Sequence, residues 1–270
     1  MNQLVKKLTS SVLRKGEFLK ILFVIYISLL LHEGMDNKIF LHSGISVAIA
    51  ALFFAMQKDL GSSFIFLAVY IIMLFLVDDK IYPTIVSTLS ITAMAAVSYF
   101  TFSHIRSRVE AWLNPWRFIS DKSYQVTQSL FAIASGGFIG TGLLLGNPNY
   151  IPAVHTDFIF SAFIEETGII NGISILFLLG LLIMAGFRIG LECENIMNKL
   201  ISIGLTSMTA IQTLVIVCGV LNIIPITGVT LPFVSYGGSS LLSQVINISI
   251  LYFIDSQNKN SRAESRGKNA

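Results

Sequence analysis

Charge is what this sequence has least of. Asp, Glu, Lys and Arg together make up 12% of its 270 residues, about half the share a water-facing domain carries. That shortage excludes an ordinary soluble globular domain. Cysteine is scarce too: Cys193 and Cys218 are the two, with no CxxC pairing, so neither a structural zinc site nor a disulfide framework is expected. The net charge is +3, with basic residues concentrated towards the two ends, which speaks against nucleic acid as a partner. No small-residue cleavage site follows the first apolar run, which begins near Phe18, so that run reads as a retained anchor and not a removed signal.

What remains is apolar. The chain is 54% hydrophobic with a mean hydropathy of +0.75, and it is expected to be an all-α polytopic membrane protein forming one integral domain over residues 1–270. Its apolar runs approach the length of about 20 residues needed to cross a bilayer. Residues 21–32 are uncharged and reach that length if Glu17 and Lys20 lie at the water interface, three apart on one helix face. A plain interfacial ion pair explains those two residues equally well. Further spans are expected over 39–57, 62–77, 81–102 and 158–187, with polar turns at 33–38, 57–63 and 78–80 and a polar loop over 188–199. Residues 200–254 carry no charge and are too long for one helix; Pro225, Gly228 and Pro232 divide them into two spans. Residues 256–270 read as a polar, disordered tail. The count is seven spans. That number puts the two basic ends on opposite sides of the membrane, although positive charge favours the cytoplasmic side for both.

The segment 103–156 stands apart. It gathers Arg106, Arg108, Trp112, Trp116 and Arg117 around an apolar and then glycine-rich middle, and it reads as a re-entrant or surface-lying loop at headgroup level. At its end come His155, Thr156 and Asp157, followed by Glu165 and Glu166 in the next apolar helix. Thr156 is a good helix N-cap, which would place Asp157 in the first helical turn as a partner of the helix dipole. A carboxylate held beside a histidine at a membrane cavity is equally the arrangement of a general base. Neighbours on a helix point about 100° apart, so only one of Glu165 and Glu166 can face the bundle interior. The glycines of 135–146 fit close packing better than phosphate binding, having no Gly-Lys-Ser/Thr. Ser235, Gly237, Gly238 and Ser239 form either a packing stripe or a polar cavity wall, and Gln212 requires an interior partner wherever it sits.

Taken together, QKDLGSS (57–63), LNPW (113–116), SYQVTQSLFAIASGGFIGTGL (123–143), IPAVHTDFIFSAFIEETG (151–168) and PITGVTLPFVSYGGSSLL (225–242) resemble the SEDS family of bacterial shape, elongation, division and sporulation proteins, typified by FtsW, RodA and SpoVE. The resemblance spans about residues 16–255, with the large extracellular loop over 103–157 and the tail on the cytoplasmic side. It implies a multi-pass protein of the bacterial cytoplasmic membrane: a peptidoglycan glycosyltransferase that polymerises lipid II beside a class B penicillin-binding protein. The family's essential aspartate falls on Asp157. Its fourth-span Glu and Lys fall on Glu17 and Lys20, so this chain begins where relatives have already crossed the membrane three times. By resemblance, Glu17, Lys20, His155, Thr156, Ser235, Gly237, Gly238 and Ser239 are expected to bind substrate. A divalent cation such as Mg or Mn could assist, although no dedicated metal ligands are expected. Lys58, Ala153 and Ile216 replace a usual proline, acidic residue and asparagine. A non-catalytic scaffold for the synthase partner and a lipid II flippase are the alternative readings.

Overall fold

The computed structural model describes residues 2–57, 59–77 and 82–268; Lys58, the 78–80 turn and Ile81 lie outside them. Among the described residues every regular element is helical: α1 (Asn2–Leu31), α2 (Asn37–Met56), α3 (Leu60–Val77), α4 (Tyr82–Thr101), α5 (Ser103–Leu113), α6 (Tyr124–Gly136), α7 (Ile159–Thr167), α8 (Ile169–Leu191), α9 (Ile196–Val220) and α10 (Gly238–Lys268), with short 3-10 turns at Pro115–Phe118 and Pro148–Tyr150. Side-chain caps set several boundaries. The Asp36 carboxylate accepts from Asn37 N at 2.8 Å before α2, Asp59 accepts from Ser62 N at 2.9 Å in the first turn of α3, and Asn195 accepts from Met197 N at 2.9 Å and Asn198 N at 3.2 Å before α9.

Five of these helices, α2, α3, α4, α8 and α9, are long and apolar enough to cross a membrane. The other two expected spans are α1 and α10, which are helical and packed on the same core. α1 is uncharged only beyond Lys20. α10 carries Gln244 and Asn247, both buried; Asn247 Nδ2 donates to Thr209 Oγ1 of α9 at 3.0 Å. A polar face turned towards another helix is tolerated in a bundle because its partners are inside.

α9 is the most buried of the spans and α1, α3, α8 and α10 pack around it. Small residues let the helices approach. A Cβ at Gly186 would lie 2.4 Å from Thr206 Oγ1, and one at Gly190 would lie 2.5 Å from Ile203 Cγ1. A first apolar cluster, including Val24, Ile65, Met73 and Leu205, joins α1, α3 and α9. A second, including Phe158, Phe160, Ile164, Leu179 and Val220, joins α7, α8 and the end of α9.

The 103–156 segment, read as a re-entrant or surface-lying loop, is largely built of α5, α6 and two 3-10 turns. Two expectations are corrected. The span expected over 158–187 is broken: Gly168, at φ +86°, separates α7 from α8. The break is stable because the α7 carbonyls left open find other donors. Thr141 N donates to Glu165 O at 2.9 Å and Gly142 N to Glu166 O at 3.0 Å, while Ile169 N donates to Gly137 O at 3.0 Å. Finally, the 256–270 stretch is not a loose tail. α10 runs through it to Lys268, held by Arg262, whose Nη1 bonds Glu192 Oε2 at 3.0 Å and whose Nη2 donates to Glu192 O at 2.8 Å.

Candidate functional site

One end of the bundle collects the α2–α3 turn, α5, the 151–158 segment, the last turn of α9 and the 221–237 connection. The 151–158 segment is a run of tight turns. Ala153 takes φ +56°, and its carbonyl accepts from Thr156 N and Asp157 N at 3.1 Å each. Thr156 is therefore not the cap of α7, which starts only at Ile159 after an uncapped Phe158. The Thr156 hydroxyl is directed at the Ala153 carbonyl, 3.2 Å away, and Asp157 sits in the turn ahead of the helix.

The 231–237 turn clamps this segment from the other side. Ser235 Oγ donates to Thr156 O at 2.6 Å and accepts from Leu231 N at 2.8 Å, and Tyr236 N donates to His155 O at 2.9 Å. Gly228, at φ +78°, lets the chain pass close to the carboxylate: its Cβ would lie 3.6 Å from Asp157 Oδ2. Below, Gly61 in the first turn of α3 abuts the 227–229 stretch so closely that a Cβ there would come within 1.9 Å of Val229 Cγ2. Ile216, another departure from the family pattern, is buried beside Asp157.

α5 supplies the cation. Arg108 Nη1 donates to Ile226 O at 3.0 Å. One turn on, Trp112 Nε1 donates to Asn222 O at 3.0 Å, and Asn222 Nδ2 returns a bond to Trp112 O at 3.3 Å. A polar cavity of about 120 Å³ opens here, lined by Arg108, Lys122, Gln125, Asp157 and Asn222 among others. Beside it runs an apolar groove of about 420 Å³, lined by residues such as Leu52, Phe64, Leu67, Ile91 and Val109. Arg108 lines both spaces, and it is the one charged side chain on the groove among the described residues.

Electrostatics follow from this placement. Burial pushes the Asp157 carboxyl above its ordinary value; the Thr156 hydroxyl and Arg108 pull it back, and Asp59 adds to the rise. Burial lowers the Arg108 guanidinium from its ordinary value, with Asp157 and then Asp59 opposing; a guanidinium stays protonated regardless. A partly desolvated carboxylate beside a fixed cation is equipped to take a proton from a hydroxyl. Among the described residues no group of three or more His, Cys, Asp or Glu stands close enough to hold a metal ion. The described donors thus offer Mg or Mn no three-ligand cage.

His155, Thr156, Asp157 and Ser235 are thus brought together, with the His155 side chain exposed. Gly237 leads into α10, which Gly238 and Ser239 begin, with open space around Gly238, and none of the three lines the Asp157 cavity. Glu17 and Lys20 form a 2.9 Å ion pair inside the bundle, Lys20 only 2% exposed, and line neither the groove nor the cavity. Of the two later glutamates, Glu165 is buried and Glu166 half-buried. Both lie at the outer end of α7 rather than deep in a span. Glu165 Oε1 accepts from Asn147 N at 3.0 Å. The amides of the glycine-rich loop bond α7 carbonyls, as packing and not anion binding requires. Gln212 Nε2 finds Thr230 O at 2.8 Å. Sequence reasoning missed Arg108 and Asp59 as site residues; the four-residue spacing of Arg108 and Trp112 on one helix face was the available signal.

The family model FTSW_RODA_SPOVE, described as "Cell cycle protein", matches residues 7–260. The peptidoglycan glycosyltransferase RodA of Mycobacterium tuberculosis (strain ATCC 25618 / H37Rv) is 40% identical over 195 residues, covering 72% of this chain and 42% of its own length. Stage V sporulation protein E of Bacillus subtilis (strain 168) is 31% identical over 247 residues, covering 88% of this chain and 67% of its own length. This chain therefore spans less than half the length of the mycobacterial RodA it matches. A chain of a solved peptidoglycan synthase complex superposes with a TM-score of 0.71 at 22% identity, over 90% of this chain and 70% of that one. The RodA of Thermus thermophilus does so with a TM-score of 0.56 at 22% identity, over 90% and 65%. Its motifs, its helical membrane fold and a family match running from residue 7 to residue 260 make this chain a member of the FtsW/RodA/SpoVE family.

Proposed function

We propose that the chain carries the glycosyl-transfer site of a peptidoglycan glycosyltransferase, acting on a polyprenyl-diphosphate-linked sugar such as lipid II. The observation that carries this reading is the double position of Arg108, on the wall of an apolar groove and of the cavity holding Asp157. A substrate with a long apolar tail, a diphosphate and a sugar has the same sequence of chemistries as groove, guanidinium and carboxylate. The tail would lie along Leu52, Phe64 and Leu67, leaving its diphosphate beside Arg108.

Asp157 then takes the proton from the acceptor sugar hydroxyl as that oxygen bonds to the donor anomeric carbon. The bond from that carbon to the diphosphate oxygen breaks, and the diphosphate leaves with the electron pair. Arg108 is placed to meet the developing negative charge. Lys20, by contrast, is sealed inside the bundle with Glu17. The name RodA borne by the mycobacterial relative and the synthase complex among the solved structures support a synthase partner of the penicillin-binding type, with Asp157 on the outer face of the membrane and the end of α10 on the cytoplasmic face.

The test is polymerisation of purified lipid II by the 270-residue protein in lipid nanodiscs, with and without that partner. Asp157→Asn is expected to abolish glycan product, and Arg108→Gln to reduce it mainly through weaker donor binding. A folded, partner-bound protein that makes no product in its unsubstituted form would overturn the enzymatic reading in favour of a scaffold.

A further inference from the structure

The loop joining α6 to the 3-10 turn at Pro148 is capped on one side and bare on the other. Its backbone is fixed to the end of α7 and the start of α8 through Thr141 N, Thr141 Oγ1, Gly142 N and Gly137 O. Internal bonds from Gly140 N to Gly136 O at 2.7 Å and from Leu145 N to Gly142 O at 3.1 Å tighten it further. Yet its side chains bury almost nothing. Ile139 is 85% exposed and Leu144 90%, and Phe138, Leu143 and Leu145 stand out as well. No charged residue occurs between Ser135 and Gly146. A rigid turn that spends its polar groups on its own scaffold and projects five large apolar side chains needs an apolar neighbour.

The height of the loop identifies that neighbour. Gly186 faces Thr206 and Gly190 faces Ser202, an antiparallel register that carries Gly172 of α8 level with Val220, where α9 ends. Ser129 confirms the level: its hydroxyl lies 2.6 Å from Ser161 Oγ and donates to Val220 O at 3.3 Å. The loop is fastened at Gly168, one turn beyond Gly172, or about 6 Å outward along the helix, within the headgroup layer that flanks the hydrocarbon. On α8, which starts where the loop is fastened and is apolar enough to span a membrane, Ile170, Ile173 and Phe177 are exposed as well. Trp116, exposed beside Phe131 with ring centroids 6.0 Å apart, adds an aromatic residue of the kind that favours this depth. A protein-docking patch would carry a polar rim; here the loop's Thr141 spends its hydroxyl on Glu165 O at 2.9 Å, and no charge falls between Ser135 and Gly146.

We infer that residues 138–145 form an apolar wedge seated in the outer layer of the lipid bilayer, which fixes, through α7, the height of the Asp157 turn above the membrane. The partner is the lipid surface itself. The inference does not depend on the proposed activity, and its test reads no enzymatic product.

Leu144→Cys, with Cys218→Ser and the buried Cys193 retained, would be labelled with an environment-sensitive fluorophore and placed in nanodiscs as the isolated 270-residue protein. Lipids bearing a nitroxide near the top of the acyl chain are expected to quench the emission strongly, and aqueous iodide to leave it unchanged. Ile139→Cys, labelled in the same way, repeats the reading should the first variant fold poorly. Quenching by iodide without quenching by the labelled lipids would overturn the inference. Protection from both quenchers would overturn it too, since a second copy of the chain, and not lipid, would then cover the loop.

Discussion

The hydroxyl of Ser235 lies 2.6 Å from the carbonyl of Thr156 and ties a turn of the α9–α10 connection to the residue preceding Asp157. The same oxygen accepts from Leu231 N, so one side chain holds both the turn and its target. Ser235→Ala removes both bonds and leaves a buried amide and carbonyl without this partner, a cost of about 1–3 kcal/mol. The expected result is a lower unfolding temperature together with reduced glycan synthesis, the latter appearing in kcat more than in KM. Unchanged kcat with lowered stability would mean that Ser235 braces the fold and not the reacting geometry.

Asp157 is held above its ordinary pKa chiefly by burial, and the sign of the consequence can be worked out. A carboxyl raised on folding contributes stability while it is protonated, and loses that contribution as pH rises through its folded value. At neutral pH the ionised Asp157 therefore destabilises the fold, and Asp157→Asn is expected to unfold at a higher temperature than the unsubstituted chain. The difference should shrink as pH falls below the raised value and vanish only below the ordinary carboxyl range, where the unfolded chain is protonated too. Polymerisation should show the opposite preference, rising with pH as the base ionises. Thermal unfolding across pH, with activity measured in parallel, checks both; a stability gap that does not change with pH would refute the assignment.

Lys20 and Glu17 offer a different test, because the buried pair separates bracing from substrate binding. Lys20→Met strands Glu17, 15% exposed, and should cost about 3–5 kcal/mol. Glu17→Gln combined with Lys20→Met removes both charges and should recover most of that loss. If the double variant is stable and still polymerises, the pair is structural. If it is stable and inactive, the substrate role implied by the family resemblance returns.

Gly61 is where the first turn of α3 meets the stretch beneath Asp157. Gly61→Ala would drive a methyl group into Val229 and is expected to cost about 1–3 kcal/mol through overpacking. Val229→Ala should partly rescue it by opening the same space, and unfolding temperatures of the two single variants and the double would measure the coupling.

What the sequence allowed to be read, and what it did not, follows the distance between partners along the chain. His155, Thr156 and Asp157 are consecutive, so their standing together was legible without coordinates, and from the compact SYGGSS string Ser235 and Tyr236 reach that turn. Arg108 reaches Ile226 across 118 residues, and its spacing to Trp112 marks a shared helix face without saying what that face meets. Gly168 looked like a tolerated glycine within an apolar run. It breaks the helix only because Thr141 and Gly142, far upstream, supply donors to the exposed carbonyls. The end of α10 has the composition of a disordered tail, and Glu192, 70 residues away, is what gives it a fixed place.

α10 has one more consequence. Its 31 residues amount to a rod of about 46 Å, longer than the hydrocarbon it crosses. At one end the rod begins two residues after Tyr236, whose amide holds His155; at the other, Arg262 is bolted to Glu192. A stiff beam fastened at both faces behaves as a strut. The spacing between the Glu192 end and the turn that bears the carboxylate is thereby tied to the length of one helix.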